Sequence, residues 1–479
     1  MKSLRSLDRN VIVILFVCVA LLVVIVPAFA SIGQGVLVFA FVLMPIAALF
    51  ATRRALNAPY LSPTFIVGAF FTFIGVGGYL LRDLLATAGY RGAGISITLS
   101  EAESFNTLAL ISWMTTLIIV ASYICIQSAS KRDNEIQEFR KFEWTSKEPS
   151  ALIVCATILP LLFIVATIGI NELVARSYYL IGERGSLAVS LGAPVATAAV
   201  VVVGYIFGAC RGSKRLLAAA LLVAYAAVLF SFGSRRFALI PILFALGVFV
   251  ASNTRKTRVG LVVGAALTAA LLPLPLAFRG APAHGLLPYL EMFRTLSPLD
   301  ADWLGALNNV LVSFAIIGRT AFGLIDLNMT DIWISVNPIG GDSAGWYEIA
   351  HKMRLNLYTP TAGIGELANV GWVPVAVFSL ALGAALAWVE LTVRRQVQSG
   401  AQVIAAMLLG LTALFSLQMV QYNLRSAVRM LVYLAALELA RRFLLLIHGS
   451  LSKNKEIRRY SGQRNSTLAK SGEGAKLGR

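Results

Sequence analysis

Long apolar runs separated by short polar segments set the pattern of this chain. Runs close to membrane-spanning length fall at 11–30, 35–51, 62–81, 105–126, 151–170, 187–209, 216–232, 237–252, 259–278, 371–391, 401–417 and 427–447. About 20 apolar residues let a helix cross a hydrocarbon core of roughly 30 Å. A helix also satisfies its own backbone there, which irregular chain in lipid cannot do. The pattern predicts an all-α polytopic membrane protein of about 12 transmembrane helices, with 1–447 as a single transmembrane domain. One large loop, 279–370, separates helices 9 and 10, and loops of that length are usually functional. Inside it, 304–323 is moderately apolar but carries Asn308, Asn309 and Arg319. A crossing at 304–323 would move Arg394, Arg395 and the basic C-terminal stretch to the outer side. That segment is therefore expected to lie on, or dip into, the membrane surface.

Charge adds the orientation. Hydrophobic residues make up 58% of the chain and charged ones 13%, against roughly 25% charged in a soluble domain. Lys+Arg outnumber Asp+Glu by 41 to 23, a net of +18, and the pI is 10.0. The excess is segregated: segments on one side hold 28 basic and 10 acidic residues, those on the other 13 and 13. By the positive-inside rule the basic side is cytoplasmic, so both termini are expected there and 279–370 is extracytoplasmic. The excess is thus a signal of topology, and it points to membrane lipid and not to nucleic acid as partner. The tail 448–479 is expected to be a disordered cytoplasmic segment near anionic headgroups. Ala28-Phe29-Ala30-Ser31 resembles a signal-peptidase site, but a second apolar run follows at once, which favours an uncleaved first helix. Cys18, Cys125, Cys155 and Cys210 lie in apolar runs without ligand spacing, and His284 and His351 have no ligand partner nearby in sequence. No metal and no cofactor is expected.

Candidate chemistry concentrates on the outer side. Twelve of the thirteen outer basic residues are arginine, whose planar fork grips phosphate oxygens in pairs as lysine cannot. Arg235 and Arg236 follow helix 7, Arg279 follows helix 9, Arg294 and Arg354 lie in the large loop, and Arg425 and Arg429 open helix 12. An arginine at membrane depth costs a few kcal/mol unless it faces a partner or a polar cavity. Any one of them could snorkel to a headgroup; the set points to a bound anion. A polar break, Gln418 to Arg425, adds Tyr422 and Asn423, as pocket lining or as a plain turn. Glu366 and Asn369, spaced i, i+3, enter helix 10 between glycines. Glu366 reads as a general base or as a helix cap; the loop carboxylates Glu348 and Asp342 are next in line for the base. No P-loop, nucleotide fold or serine-nucleophile elbow is present.

Several of these features resemble the bacterial O-antigen polymerase (Wzy-type) and oligosaccharide repeat unit polymerase family. The matching parts are Gly233-Ser234-Arg235-Arg236, the large loop with Asn337-Pro338, Gly365-Glu366-Leu367-Ala368-Asn369-Val370-Gly371, and the arginine-bearing break before the last helix. Arg294…Gly305, Arg354…Gly365 and Arg236…Gly247 fit the family's spacing of an arginine, ten residues and a glycine. The likeness covers about 216 to 447. It implies a glycosyltransferase of the bacterial cytoplasmic (inner) membrane that takes polyprenyl (undecaprenyl) pyrophosphate-linked oligosaccharide as substrate, for polysaccharide biosynthesis at the cell envelope. Arg235, Arg236, Arg279, Arg294, Arg354, Asn369, Tyr422, Asn423, Arg425 and Arg429 would bind substrate, and Glu366 would act as base, without metal. A flippase and a chain-length regulator are the partners it implies. An O-antigen ligase-like transferase would use the same donor. A membrane transporter would instead show mid-helix charges and two similar halves.

Overall fold

The computed structural model describes residues 34–56, 62–84, 98–130, 150–178, 192–295, 302–356, 359–399 and 402–443, apart from 234, 253, 324, 338 and 340–342. The expected first span 11–30, the basic stretch 131–147 and the tail 448–479 lie outside them. So do the side chains of Arg235 and Arg279. The described residues are helical, with two isolated bridges and no strand.

The long helices are α1 Gln34–Ala55, α2 Pro63–Leu80, α3 Glu101–Ser130, α4 Ser150–Ile168, α5 Ala193–Ala209, α6 Ser213–Ser231, α7 Ile240–Ala251 and α8 Arg255–Leu271. Then come α9 Leu286–Thr295, α10 Trp303–Phe322, the short α11 Met329–Val336, α12 Trp346–Ile349 and α13 Gly363–Val370, and finally α14 Trp372–Ser399 and α15 Gln402–Gln421. A last helix, α16, opens at 424. Local chemistry fixes several starts. Ser62 accepts from Phe65 N–H ahead of Pro63, Asp302 accepts from Gly305 N–H at 2.7 Å, and Asn328 with Asp331 closes a capping box.

Eight helices among the described residues are long and apolar enough to cross a membrane. Seven coincide with expected spans. The expected spans at 151–170, 187–209 and 237–252 appear as shorter apolar helices. Exposed Phe39, Leu216, Val223, Val262 and Val377 give these helices an apolar outer surface suited to lipid. The chain is an all-α, membrane-embedded protein.

The eighth long helix is α10, the segment expected at the membrane surface. It packs against α2, α3, α13 and α15, and its Asn308 and Asn309 are buried in protein. Leu311 meets Gly77, and Phe314 lies over Gly78, at the C-terminal end of α2. Arg319 reaches Glu103 at 3.1 Å in the first turn of α3. Glu103 also closes a capping box with Ser100, so the Glu101–Glu103 pair begins a helix. The polar residues of α10 thus form an inward stripe, which hydropathy alone averages away.

The tightest helix crossing joins α5 and α7. A Cβ on Gly247 would run into Val201 O, with Tyr205 N 2.6 Å away, and one on Gly204 would run into Phe244 O. Backbones touch there because side chains are absent, the usual device for packing helices in lipid. α15 is the most enclosed of the eight long apolar helices among the described residues.

By contacts the chain divides into Met1–Leu431 and Val432–Arg479. In the second unit, 432–443 is helical, and Glu438 accepts from Arg441 and Arg442 at 2.8–2.9 Å.

Candidate functional site

The first turn of α16 gathers the densest group of expected residues. Asn423 caps this helix: its Oδ1 accepts from Ser426 N–H at 3.1 Å and from Ser426 Oγ–H at 2.8 Å. Tyr422 is 38% exposed, and its carbonyl accepts from Gly363 N–H. Arg425 follows, only 2% exposed. Its guanidinium lies 4.6 Å from the ring centre of Trp346, and Nη2 donates to Ile339 O. Nε and Nη1 are buried and have no hydrogen-bond partner among the described residues. Arg429, one turn on and half-buried, has no carboxylate partner among the described residues.

This arrangement is electrostatically unfavourable as it stands. Two cations sit on one face at i, i+4, and both are near a helix N-terminus, which already carries partial positive charge. Two desolvated guanidinium nitrogens without acceptors among the described residues add to the cost. An anion with several oxygens would relieve all three, and helix N-termini are natural anion sites. In the observed conformation Trp346 and Ile339 cover Arg425.

Glu366 lies next to this group but is sealed. It is fully buried in α13, and each carboxyl oxygen is engaged. Oε1 is 2.5 Å from Thr361 Oγ1; Oε2 accepts from Ser335 Oγ–H at 3.0 Å and from Leu424 N–H at 3.1 Å. It therefore caps α16 and not its own helix, an alternative the sequence did not suggest. Burial pushes this carboxyl above the ordinary glutamate range, offset in part by Thr361, the Leu424 amide and Ser335. No substrate hydroxyl could reach it without opening this packing.

Asn369 is likewise committed to the fold. Its Oδ1 accepts from Leu327 N–H at 2.9 Å, and its Nδ2 donates to Thr320 O and Ile325 O at 2.9 and 2.7 Å. It fastens the chain leaving α10. Asn369→Ala would strand an amide and two carbonyls, and should destabilise the protein by about 2–3 kcal/mol. A melting curve in detergent checks this. Unchanged melting with lost substrate binding would return Asn369 to a ligand role.

The remaining arginines are placed elsewhere. Arg354 is exposed on an antiparallel strap whose residue 354 bridges Pro360. Arg294 is exposed at the end of α9. Arg236 is half-buried in the helical turn Arg235–Ala238, and Arg279 ends the helix Leu274–Arg279. These two short helices and α9 surround an aromatic cluster of Phe230, Phe278 and Tyr289. Tyr289 Oη bonds His284 Nδ1 at 2.9 Å. His284 in turn pairs through its backbone with Arg176, whose guanidinium donates to the carbonyls of Glu172, Tyr178 and Ser231. Burial, then Arg176, keeps the His284 imidazole below its usual range. Arg176 holds the end of α6 just before Gly233-Ser234-Arg235-Arg236. Nothing in its sequence context marked it for this. Trp346, the ring on Arg425, was also missed; an isolated tryptophan in a glycine-bearing loop was its only signal.

The three arginine–glycine spacings have packing explanations on the glycine side. Gly247 is at the α5–α7 crossing, Gly305 closes the Asp302 cap, and Gly365 lies against Ile317 O and Thr320.

The fold and this site define an all-α membrane-embedded protein with a covered cationic site. Comparison with protein families, curated proteins and solved structures finds no match for the chain.

Proposed function

We propose that this protein is a glycosyltransferase that polymerises polyprenyl pyrophosphate-linked oligosaccharide repeat units at the outer face of a bacterial cytoplasmic membrane. The observation that carries the reading is Arg425: a buried guanidinium with two nitrogens unpartnered among the described residues, beside Arg429, which has no carboxylate partner among them. A pyrophosphate supplies several acceptor oxygens and the compensating charge. In the reaction, an acceptor sugar hydroxyl attacks the anomeric carbon of the donor glycan. The carbon–oxygen bond to the pyrophosphate breaks, and the leaving group keeps the electron pair. Arg425 and Arg429 stabilise the charge that develops on it. The hydroxyl proton goes to a carboxylate. Glu348 suits that step better than sealed Glu366, because it is exposed on α12, two residues beyond Trp346.

A strain lacking this protein tests the reading through the length of its surface glycan. Loss of a polymerase leaves single repeat units attached. Loss of a ligase leaves none attached, and unaltered glycan would overturn both.

A further inference from the structure

Glu366 joins three segments near Arg425. Ser335 belongs to α11, whose C-terminal continuation supplies Ile339 O to Arg425. Thr361 ends the strap that begins at Met353, and Leu424 is the first residue of α16, next to Arg425 itself. All four side chains, Glu366, Ser335, Thr361 and Met353, are within 1% of full burial. Among the described residues no guanidinium or ammonium pairs with the carboxyl.

The hydrogens in this network can be counted. Thr361 Oγ1 lies 2.5 Å from Glu366 Oε1 and 3.1 Å from Met353 O. It has one hydrogen, and two acceptors would need two. The conflict disappears if Glu366 holds a proton on Oε1. That O–H then donates to Thr361 Oγ1, and the Thr361 hydroxyl donates on to Met353 O. Oε2 keeps its two donors, Ser335 Oγ–H and Leu424 N–H. Each polar atom is then satisfied, and no unpaired charge is buried.

We propose that Glu366 is a neutral, protonated clasp that positions Arg425 by tying α11, the 353–361 strap and the start of α16 together. Its effect on the anion site rests on the function proposed above; the clasp and its proton do not. Glutamine reproduces the neutral group: its amide N–H can donate to Thr361 Oγ1, and its oxygen can accept from Ser335 and Leu424. Alanine removes all three links.

The test uses purified full-length protein in detergent, read by hydrogen exchange and infrared spectroscopy. Wild type at neutral pH should show the carbonyl stretch of a protonated carboxylic acid, absent from Glu366→Gln. Amide exchange over 329–349 and 424–431 should match wild type in Glu366→Gln and rise at least tenfold in Glu366→Ala. Glu366→Ala should also lose the thermal stabilisation that inorganic pyrophosphate gives, while Glu366→Gln keeps it. A missing acid band, or exchange in Glu366→Gln as fast as in Glu366→Ala, would overturn the clasp. If pyrophosphate stabilises no variant, wild type included, the anion reading fails while the exchange and infrared results still judge the clasp.

Discussion

Arg425→Met should leave the purified protein as stable as wild type, or more so, while removing its response to pyrophosphate. The methionine keeps an apolar side chain against Trp346 and deletes a buried charge that has no anionic partner among the described residues. Removing an uncompensated buried charge does not cost stability in the way that breaking a buried ion pair does. Charge-assisted hydrogen bonds are worth about 1.5–3 kcal/mol each, so losing even one should weaken anion binding roughly 10- to 100-fold. Arg425→Lys should fall near Met, because lysine lacks the planar fork. Thermal shift against inorganic pyrophosphate, with repeat-unit polymerisation in cells, checks both. A sharp fall in melting temperature with pyrophosphate protection intact would make Arg425 a structural residue.

The second large effect concerns stability alone. Gly247→Ala should destabilise the bundle by about 3 kcal/mol, since the new methyl would stand in the backbone of α5. Two rigid helices must part to admit it, and no side chain can rotate away. Gly260→Ala is the matched control. Its added Cβ meets nothing within 4 Å, and alanine is the better helix former by roughly 0.5–1 kcal/mol. Melting curves should therefore move in opposite directions. Equal shifts would mean that helix propensity, not the α5–α7 contact, governs both sites.

These variants separate two readings of the same motif. The spacing of Arg236 and Gly247 looks like a functional pattern when read along the chain. In space Gly247 is a packing residue at a helix crossing, and Arg236 sits in the helical turn whose Phe237 packs on the Tyr289 cluster. Glycine spacing carries little functional information in a chain that packs helices through glycines.

The sequence by itself determined the class of protein and seven of its long helices, because about 20 consecutive apolar residues have few other places to go. Segregated charge gave the expectation for which side faces the cytoplasm, through a rule that needs no tertiary contact. It also marked the arginines of the expected outer side and the polar break before the last helix as chemically unusual. Tertiary structure decided what each polar residue does. Asn369 and Asn423, expected to bind substrate, hydrogen-bond to backbone at the ends of helices. Glu366, read as a base or a cap for its own helix, caps another helix 58 residues away and is sealed by Ser335 and Thr361. Arg425 keeps two guanidinium nitrogens unspent among the described residues, and Trp346 that covers it lies 79 residues earlier in the chain. Periodicity reports local burial, which neighbours along the chain share. Hydrogen-bond satisfaction is settled by residues far apart in sequence, and only the folded chain brings them together.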